Sequence, residues 1–122
     1  MTAEQALDVF WNGFTWKAYN ENTVPNDAQL PYITYEATID FFGNTVVQTT
    51  SLWQRSFSWA EITQKEKEIA NAIGRGGLQI PCDGGTIWIK RATPWAQKVA
   101  SGNPDIRRIA LNLELEFIVS RR

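Results

Sequence analysis

Four acidic residues form two pairs whose spacing could support carboxylate chemistry. Glu36 and Asp40 are four residues apart, and Glu114 and Glu116 are two apart within an apolar stretch. A glycoside hydrolase needs two carboxyl groups on either side of a sugar bond, one as the acid and one as the base or nucleophile. Acids at alternate positions of a strand, however, ordinarily form its solvent-exposed face. We therefore interpret both pairs as exposed residues and predict no catalytic pair.

Cys82 is a candidate nucleophile, and it is the only cysteine of a sequence that contains no histidine. A single cysteine excludes an internal disulfide and fits a reducing compartment. Without histidine, Ser-His and Cys-His nucleophile pairs lack a base, and histidine-containing zinc sites lack a ligand. Activation of Cys82 would have to come from Lys90, Arg91 or a helix dipole, so we interpret it as a turn residue. The sequence predicts no enzyme, no metal site and no cofactor.

Glycines cluster in Gly74-Arg75-Gly76-Gly77 and again at Gly84-Gly85. Glycine-rich loops can cradle phosphate, but they then precede a helix whose N-terminus faces the anion, often with Gly-Lys-Ser or Gly-Lys-Thr. Here the glycines follow a helical apolar pattern, and neither tripeptide is present. We predict that the first cluster ends a helix and that Asp83-Gly84-Gly85 turns a hairpin.

Basic residues near tryptophans in the second half of the chain could bind nucleic acid through phosphate contacts and base stacking. The basic residues are Lys90, Arg91, Arg107, Arg108, Arg121 and Arg122, and the tryptophans are Trp88 and Trp95. A sequence pI near 5.4 argues against a dedicated nucleic-acid-binding protein, which would be basic overall. The alternatives are solvent-exposed charge and pairing between subunits. Tryptophan and arginine are enriched at interfaces, and we predict Trp53 and Trp95 as exposed interface residues.

The net charge of -1 conceals a division along the chain. Residues 1–61 hold two basic and seven acidic residues, a net charge of -5, whereas residues 62–122 hold ten basic and six acidic residues, a net charge of +4. If the halves form different surfaces, unlike patches could meet head to tail in a closed ring. The alternative is that the charges intermix on folding.

Hydrophobic periodicity predicts the elements of the first half. Thr2 with Gln5 forms a capping box before an apolar helical stripe. From Ile33 to Phe41, apolar and polar residues alternate as in a half-buried strand. The predicted elements are a helix from Ala3 to about Asn12 ended by Gly13, a short strand or irregular segment over Phe14 to Tyr19, a surface loop over Asn20 to Pro31, a strand over Tyr32 to Phe42, a turn at Gly43-Asn44 and a strand over Thr45 to Phe57.

The second half predicts one long helix and three strands. Ser58 with Glu61 forms a capping box, and the stripe that follows, with residues 65–68 largely outside it, consists of Ile62, Ile69, Ala70 and Ile73. Apolar residues alternate most clearly from Ile109 to Val119. The predicted elements are a helix ending at Gly74, the glycine hairpin, one helical turn over Thr93 to Lys98 with Pro94 at its first position, a loop over Ser101 to Pro104 and a final strand to Val119.

These elements predict a single α+β domain over residues 1–122, an antiparallel β-sheet with two main helices packed on one face. Hydrophobic residues at 43% and charged residues at 20% fit a globular chain. No apolar run approaches the roughly 20 residues that a membrane helix needs, and the first residues lack the features of a secretory signal. We expect a soluble protein in the cytoplasm without a membrane partner.

Several segments resemble, in matching order, those of small proteins encoded in the tail-gene clusters of long-tailed bacteriophages and of prophages. They are Val24-Pro25, Leu30 to Tyr35, Ile73 to Gly77, Ile80 to Gly85, Trp88 to Arg91 and Ile106 to Arg108. That group is similar to the tail terminator, or tail completion, proteins. The likeness covers nearly the whole chain, although no single motif is specific.

The resemblance implies a ring, usually of six copies, on the end of a tail tube, where it stops growth and meets the head connector. The implied partners are further copies of the chain, the major tail tube protein and a head-tail connector protein, in the virion tail and, during assembly, in the host cytoplasm. No catalysis, cofactor or sequence-specific nucleic-acid binding is implied. Alternatives are another connector or minor tail protein, a nucleic-acid-binding module and a small hydrolase.

Particular interface residues are predicted from charge and residue type. The loop Asn20 to Gln29 is predicted to contact another tail or head protein. Contacts with neighbouring copies are predicted at Trp53, Arg75, Lys90, Arg91, Trp95, Arg107 and Arg108.

Overall fold

The computed structural model describes residues 1–36, 39 and 43–119. Within these residues the fold is α+β, with two α-helices and a six-stranded mixed sheet that curls strongly enough to form a half-barrel. The elements are α1 (Ala3–Trp11), a 3₁₀ turn (Asn12–Phe14), β1 (Lys17–Asn20), β2 (Tyr32–Tyr35), β3 (Thr45–Arg55), α2 (Ala60–Ile73), β4 (Leu78–Cys82), β5 (Gly85–Val99) and β6 (Ile106–Val119).

The strand order across the sheet is β1-β2-β3-β6-β5-β4. Every neighbouring pair is antiparallel except β1 and β2, which run parallel with Lys17 opposite Tyr32 and Asn20 opposite Tyr35. The prediction of an antiparallel sheet is therefore wrong for this edge pair. The segment 21–31 carries the chain back along the strand before β2 begins, as the connection between parallel strands must.

One face of the sheet, called here the inner face, packs with both helices into a single buried cluster. Ala110 of β6 is buried, and the alternating apolar residues of the strand are buried as predicted: Ile109, Leu111, Leu113, Leu115 and Phe117. The helices add Leu7, Trp11, Ile62, Ile69 and Ile73. Val119 was predicted to share this face, but it is exposed at the end of the strand, where its partner Gly85 has no side chain to pack on it.

Polar side chains occupy the inner face of β3, whose apolar residues do not alternate clearly along the strand. Gln48 and Thr50 have no exposed surface, because their register with β6 places them opposite core leucines. Gln54 Nε2 donates to Glu61 Oε2 at 2.6 Å, which ties the end of β3 to the first turn of α2. Trp53 consequently points to the opposite, outer face of the sheet.

The first helix forms as predicted and closes the open side of the half-barrel. Thr2 Oγ1 accepts from the Gln5 amide at 3.1 Å, and Gln5 Oε1 accepts from the Thr2 amide at 2.9 Å. The helix is capped at Asn12 rather than ended by Gly13, because the chain continues into the 3₁₀ turn. α1 contacts β1 and β4, which are the two edge strands of the sheet.

The second helix differs from the prediction at its start and along one side. Trp59 is the N-cap residue, and no side chain caps it. Ser58 Oγ instead accepts from the first helical amide at 3.1 Å, and Glu61 is bonded to β3, so the predicted capping box does not form. Lys65, predicted outside the apolar stripe, is buried because its Nζ donates to the Phe14 carbonyl at 2.7 Å.

The predicted helix end and glycine hairpin are both present. Gly74 has a φ of +74° and donates its amide to the Ala70 carbonyl at 2.9 Å. β4 and β5 then pair around the predicted turn. Cys82, predicted as a turn residue, is instead the last residue of β4, opposite Gly85. Burial and then the charge of Asp83 raise the pKa of its thiol.

Gly77 lies directly against β5. Its φ is +85°, and a Cβ at this position would lie 2.5 Å from Trp88 Nε1 and 2.7 Å from the Ile89 carbonyl oxygen. Trp88 Nε1 also donates to the Gly76 carbonyl at 2.9 Å. The segment that follows α2 is therefore fixed on β5, and only glycine fits at residue 77.

The prediction of a helical turn over Thr93 to Lys98 is wrong. β5 runs on to Val99, and after a bulge between Arg91 and Ala96 it pairs with β6 again. Pro94 lies in this bulge, where its missing N–H removes no ladder hydrogen bond. Pairing with the long apolar strand β6 therefore outweighs the local helix signal.

The strand predicted over Tyr32 to Phe42 is shorter in the structure, where β2 ends at Tyr35. Glu36 lies just beyond the end of β2, and its amide still bonds to the Thr49 carbonyl of β3 at 3.3 Å. The rest of that prediction falls on Ala37, Thr38, Asp40, Phe41 and Phe42, which lie outside the described residues. The hairpin itself is present, with Tyr32 opposite Trp53.

Candidate interaction surfaces

A row of aromatic and cationic side chains crosses the outer face of the sheet. The strand registers place Lys17 opposite Tyr32, Tyr32 opposite Trp53 and Trp53 opposite Arg108, so the row spans β1, β2, β3 and β6. Residues one position along each strand face the core, which confirms that this row points outward. We call the row, together with Tyr19 on the same face, the outer strip: Lys17, Tyr19, Tyr32, Trp53 and Arg108.

Contacts within the outer strip hold its side chains in place. The Tyr32 ring lies 5.8 Å from that of Tyr19 and 6.5 Å from that of Trp53, measured between centroids. The Arg108 guanidinium lies 4.6 Å from the Trp53 ring centroid and donates to Ser51 Oγ at 3.1 and 3.2 Å. Trp53 Nε1 donates at 2.9 Å to a threonine hydroxyl on β2. Side chains ordered in this way lose little rotamer entropy when a partner binds.

The charge of Lys90, on the same outer face, is already compensated by a glutamate. Lys90 Nζ lies 3.2 Å from Glu116 Oε1 and 4.4 Å from the centroid of the Trp88 ring. Glu114 is opposite Lys90 in the register. Glu114 and Glu116 thus lie on the outer face as predicted, beside a lysine rather than across a cleft. Lys90 carries little unpaired charge for a partner protein.

A pocket of about 420 Å³ lies where the ends of β5 and β6 meet the start of α2. We call it the basic pocket, and it is lined by Trp59, Lys98, Arg107 and the connection 100–104. Lys98 Nζ lies 4.8 Å and Arg107 Cζ 5.3 Å from the centroid of the Trp59 ring. Two cations therefore share one aromatic side chain, an arrangement worth about 0.5–2 kcal/mol for each cation.

The two cations of the basic pocket are held in place without being neutralised. Arg107 donates to the carbonyl oxygens of Phe57 at 3.0 Å and Pro104 at 3.3 Å, and its Nε is buried without a hydrogen-bond partner in the described structure. The adjacent Asp105 is paired with Arg55. Within residues 1–36, 39 and 43–119, neither Lys98 nor Arg107 has a carboxylate partner.

A third surface is a groove of about 890 Å³ between α1 and β1, called here the acidic groove. Glu4 and Asp8 lie along it, with Lys17 on the opposite wall. Tyr35 Oη donates to Asp8 Oδ1 at 2.8 Å. Burial and then this contact with Asp8 raise the pKa of Tyr35 well above its usual value. Among the described residues no three acidic, cysteine or histidine side chains converge as metal ligands.

The structure brings only some of the predicted interface residues together. Trp53 and Arg108 are in contact, whereas the adjacent Arg107 points to the other side of β6, into the basic pocket. Arg75 and Arg91 are exposed but line none of the three surfaces. Trp95 packs against the core, where its indole donates to α2 at 3.3 Å. Arg121, Arg122 and Asp40 lie outside the described residues. These assignments to an interface stay predictions.

Sequence reasoning missed Trp59 and Lys98 as members of a site. Lys98 lies in the segment predicted as a helical turn, and Trp59 lies between Ser58 and Glu61, the two residues of the predicted capping box. A usable signal was available in the pair Arg107-Arg108, because consecutive residues of a strand face opposite sides and must serve different surfaces. Tyr19 and Tyr32 were missed for another reason, since their joint position depends on the parallel pairing of β1 with β2.

Comparison with known proteins does not assign this chain to a family. No protein-family model matches it, and no curated protein and no solved structure is detectably similar to it. Neither helix in the described residues is long and apolar enough to cross a membrane. Its function is therefore argued from the three surfaces and from the sequence resemblance.

Proposed function

We propose that this protein is a structural component of a bacteriophage tail, a terminator or completion protein whose copies form a closed ring on the end of the tail tube. In that role it halts the addition of the major tail tube protein and presents a surface to the head-tail connector. Six copies is the ring size that the sequence resemblance implies. The proposal includes no catalytic step.

The observation that carries this proposal is the outer strip. Both helices pack on the inner face of the sheet, so no described helix covers the strip. Tryptophan, tyrosine and arginine are the residues most enriched at interface hot spots, and here Tyr32, Trp53 and Arg108 are contiguous and mutually ordered. A rigid aromatic surface on a sheet is suited to binding protein rather than to transforming a substrate.

The chain offers two unlike charged surfaces to an assembly, a groove lined by Glu4, Asp8 and Lys17 and a pocket lined by Lys98 and Arg107. The acidic groove is built from α1 and β1, whereas the basic pocket is built from β5, β6 and α2. Contacts between two different patches of identical subunits are heterologous, and they close into a ring when the rotation between neighbours allows it. A closed ring is the assembly that the proposed role at the end of a tube requires.

The proposal is tested by locating the protein in particles of the phage or prophage that encodes it. Electron microscopy with a labelled copy is expected to show a ring at the end of the tail next to the head. Particles made without the protein are expected to carry tubes of uncontrolled length, because nothing stops their growth. Label along the side of the tail or at its far tip would refute the terminator role and favour a minor tail protein.

A matched pair of variants connects the ring to the outer strip. Arg108→Ser removes the cation that lies on Trp53 and should abolish tail completion. Lys67→Ser makes the same change of charge at an exposed position of α2 outside the strip and should complete tails normally. Equal tail completion by both variants would show that the strip is not the interface.

The outer strip also favours a second candidate, a single-stranded nucleic-acid-binding module. Aromatic side chains on a sheet face can stack bases, and Lys17 and Arg108 at the two ends of the strip could contact phosphates. The pI near 5.4 counts against this function. A gel shift decides it, because phosphate-driven binding should be strong at low salt and weaken steeply as salt rises. No shift at low salt would eliminate the candidate.

A further inference from the structure

We propose that the basic pocket receives an acidic segment of a second copy of this chain, with the carboxylate of Glu21 or Asp27 entering between Lys98 and Arg107. We call residues 21–29, which follow β1, the acidic loop. The inference rests on the ring proposed above, and it specifies which surface of one copy meets which segment of the next.

The pocket is built to receive an anion. Arg107 is oriented by two backbone carbonyls, Lys98 lies over the ring of Trp59, and neither has a carboxylate partner within the described residues. The positive end of the α2 dipole lies at Trp59, the N-cap residue of that helix. Glu61 in the first turn of α2 accepts from Gln54 and forms no ion pair with either cation within the described residues. An incoming carboxylate would compensate the positive charges of Lys98 and Arg107.

The shape of the pocket favours one or two protein side chains over a nucleic-acid backbone. Its volume of about 420 Å³ is at the small end of the range for binding sites. Nucleic acid is held by many phosphate contacts along a basic track, whereas here two cations lie in one depression closed by the connection 100–104. Phe57 adjoins the site through its carbonyl bond to Arg107, and its side chain is 79% exposed. An acidic residue with an apolar neighbour matches this combination.

The acidic loop supplies that chemistry. Glu21 and Asp27 are exposed, and in the described structure their carboxylates have no hydrogen bond or ion pair. Val24 and Pro25 lie between them and provide apolar atoms for Phe57. The loop leaves the β1 edge of the sheet, while the pocket is formed by β5, β6 and α2. Each copy can therefore donate its loop to one neighbour and accept the loop of the other.

The first experiment titrates the full-length protein with a blocked peptide of residues 20–29 and follows the indole N–H signals by NMR. We expect the Trp59 signal, assigned with Trp59→Phe, to shift and saturate with a Kd of about 1 mM, typical of one small contact. Lys98→Glu should weaken binding by at least about tenfold, because it replaces attraction with repulsion. Lys67→Glu, the same change at an exposed site outside the pocket, should bind normally.

Two further probes identify the occupant. A peptide with Glu21→Gln and Asp27→Asn should produce no shift, since it keeps the shape and loses the charge. Inorganic phosphate should bind more weakly than the acidic peptide. Equal binding of phosphate, binding of the neutral peptide, or no response of Trp59 to the acidic peptide would each overturn the proposal.

A charge exchange in the whole chain separates this inference from the proposed function. Lys98→Glu alone, and Glu21→Lys with Asp27→Lys alone, should each prevent self-association in sedimentation experiments and tail completion in particles. The combined variant should restore both, because the attraction is re-established with reversed signs. If the protein is found at the tail end but these variants complete tails normally, the inference fails and the proposed function stands. If the exchange behaves as expected but the protein is absent from tails, the proposed function fails and the inference stands.

Discussion

Replacing Gly77 by alanine tests how tightly the segment after α2 is fixed on β5. The new Cβ would lie 2.5 Å from Trp88 Nε1, 2.7 Å from the Ile89 carbonyl oxygen and 2.8 Å from Lys90 Cγ, all closer than van der Waals contact permits. At least one of these atoms belongs to the backbone of a central part of β5 and cannot rotate away. The loop or the strand must therefore shift.

The expected loss of stability combines two physical effects. A left-handed backbone conformation costs alanine about 1–2 kcal/mol, and overpacking typically costs about 1–3 kcal/mol more. We expect Gly77→Ala to lower the free energy of unfolding by about 3 kcal/mol. With a urea m-value of about 1.5 kcal/mol per molar, the unfolding midpoint should fall by about 2 M.

Two glycines of the same chain separate the contributions. Gly102 has a φ of +88° but open space around its Cβ position, so Gly102→Ala should show the backbone cost alone, about 1–2 kcal/mol. Gly76 has neither a positive φ nor a neighbour within 4 Å, and Gly76→Ala should change stability by less than about 0.5 kcal/mol. Urea unfolding followed by tryptophan fluorescence measures all three. A loss at Gly77 no larger than that at Gly102 would refute the steric argument.

Two further predictions concern buried polar contacts. Lys65→Met should cost about 2–3 kcal/mol in urea unfolding, because it removes the bonds of the ammonium to the Phe14 carbonyl, to Thr15 Oγ1 and to Glu68. Lys67→Met, on the exposed side of α2, should be neutral within about 0.5 kcal/mol. Equal effects would contradict the assigned role. Tyr35→Phe should cost about 1 kcal/mol at pH 7 through loss of the bond to Asp8. Burial and Asp8 raise the pKa of Tyr35 in the folded protein, so the unfolded chain loses the phenol proton first as the pH rises above about 10. The free energy of unfolding should therefore fall above that pH, and it should fall less in Tyr35→Phe than in the natural chain. Parallel pH profiles of the two proteins would contradict this.

The parts of the fold that sequence reasoning found are those with a strong local period or cap. β6 alternates over its whole length, and α1 carries a complete capping box, so neither depends on distant residues. The burial of Lys65 could not be found in this way, because its acceptor lies about fifty residues earlier in the chain. The predicted turn at Pro94 failed because strand pairing, which is a long-range contact, decided the conformation.

The candidate surfaces also depend on long-range contacts that the sequence does not show. Residue types pointed to Trp53 and Arg108, and the register of β3 with β6 was needed to place them in contact. The basic pocket joins Trp59, Lys98 and Arg107 from three separate elements, and no local pattern connects them. Local periodicity determines which face of an element a residue occupies, but not which other element lies next to it.

The position of α1 has a consequence for the solution behaviour of the protein. An exposed edge strand can pair with any extended peptide through its unpaired backbone N–H and C=O groups, and this pairing can continue without limit. Here the amphipathic helix α1 contacts both edge strands of the sheet, β1 and β4, and so covers part of each edge. Association then depends on contacts between side chains, and the part of that attraction that comes from charge weakens with salt.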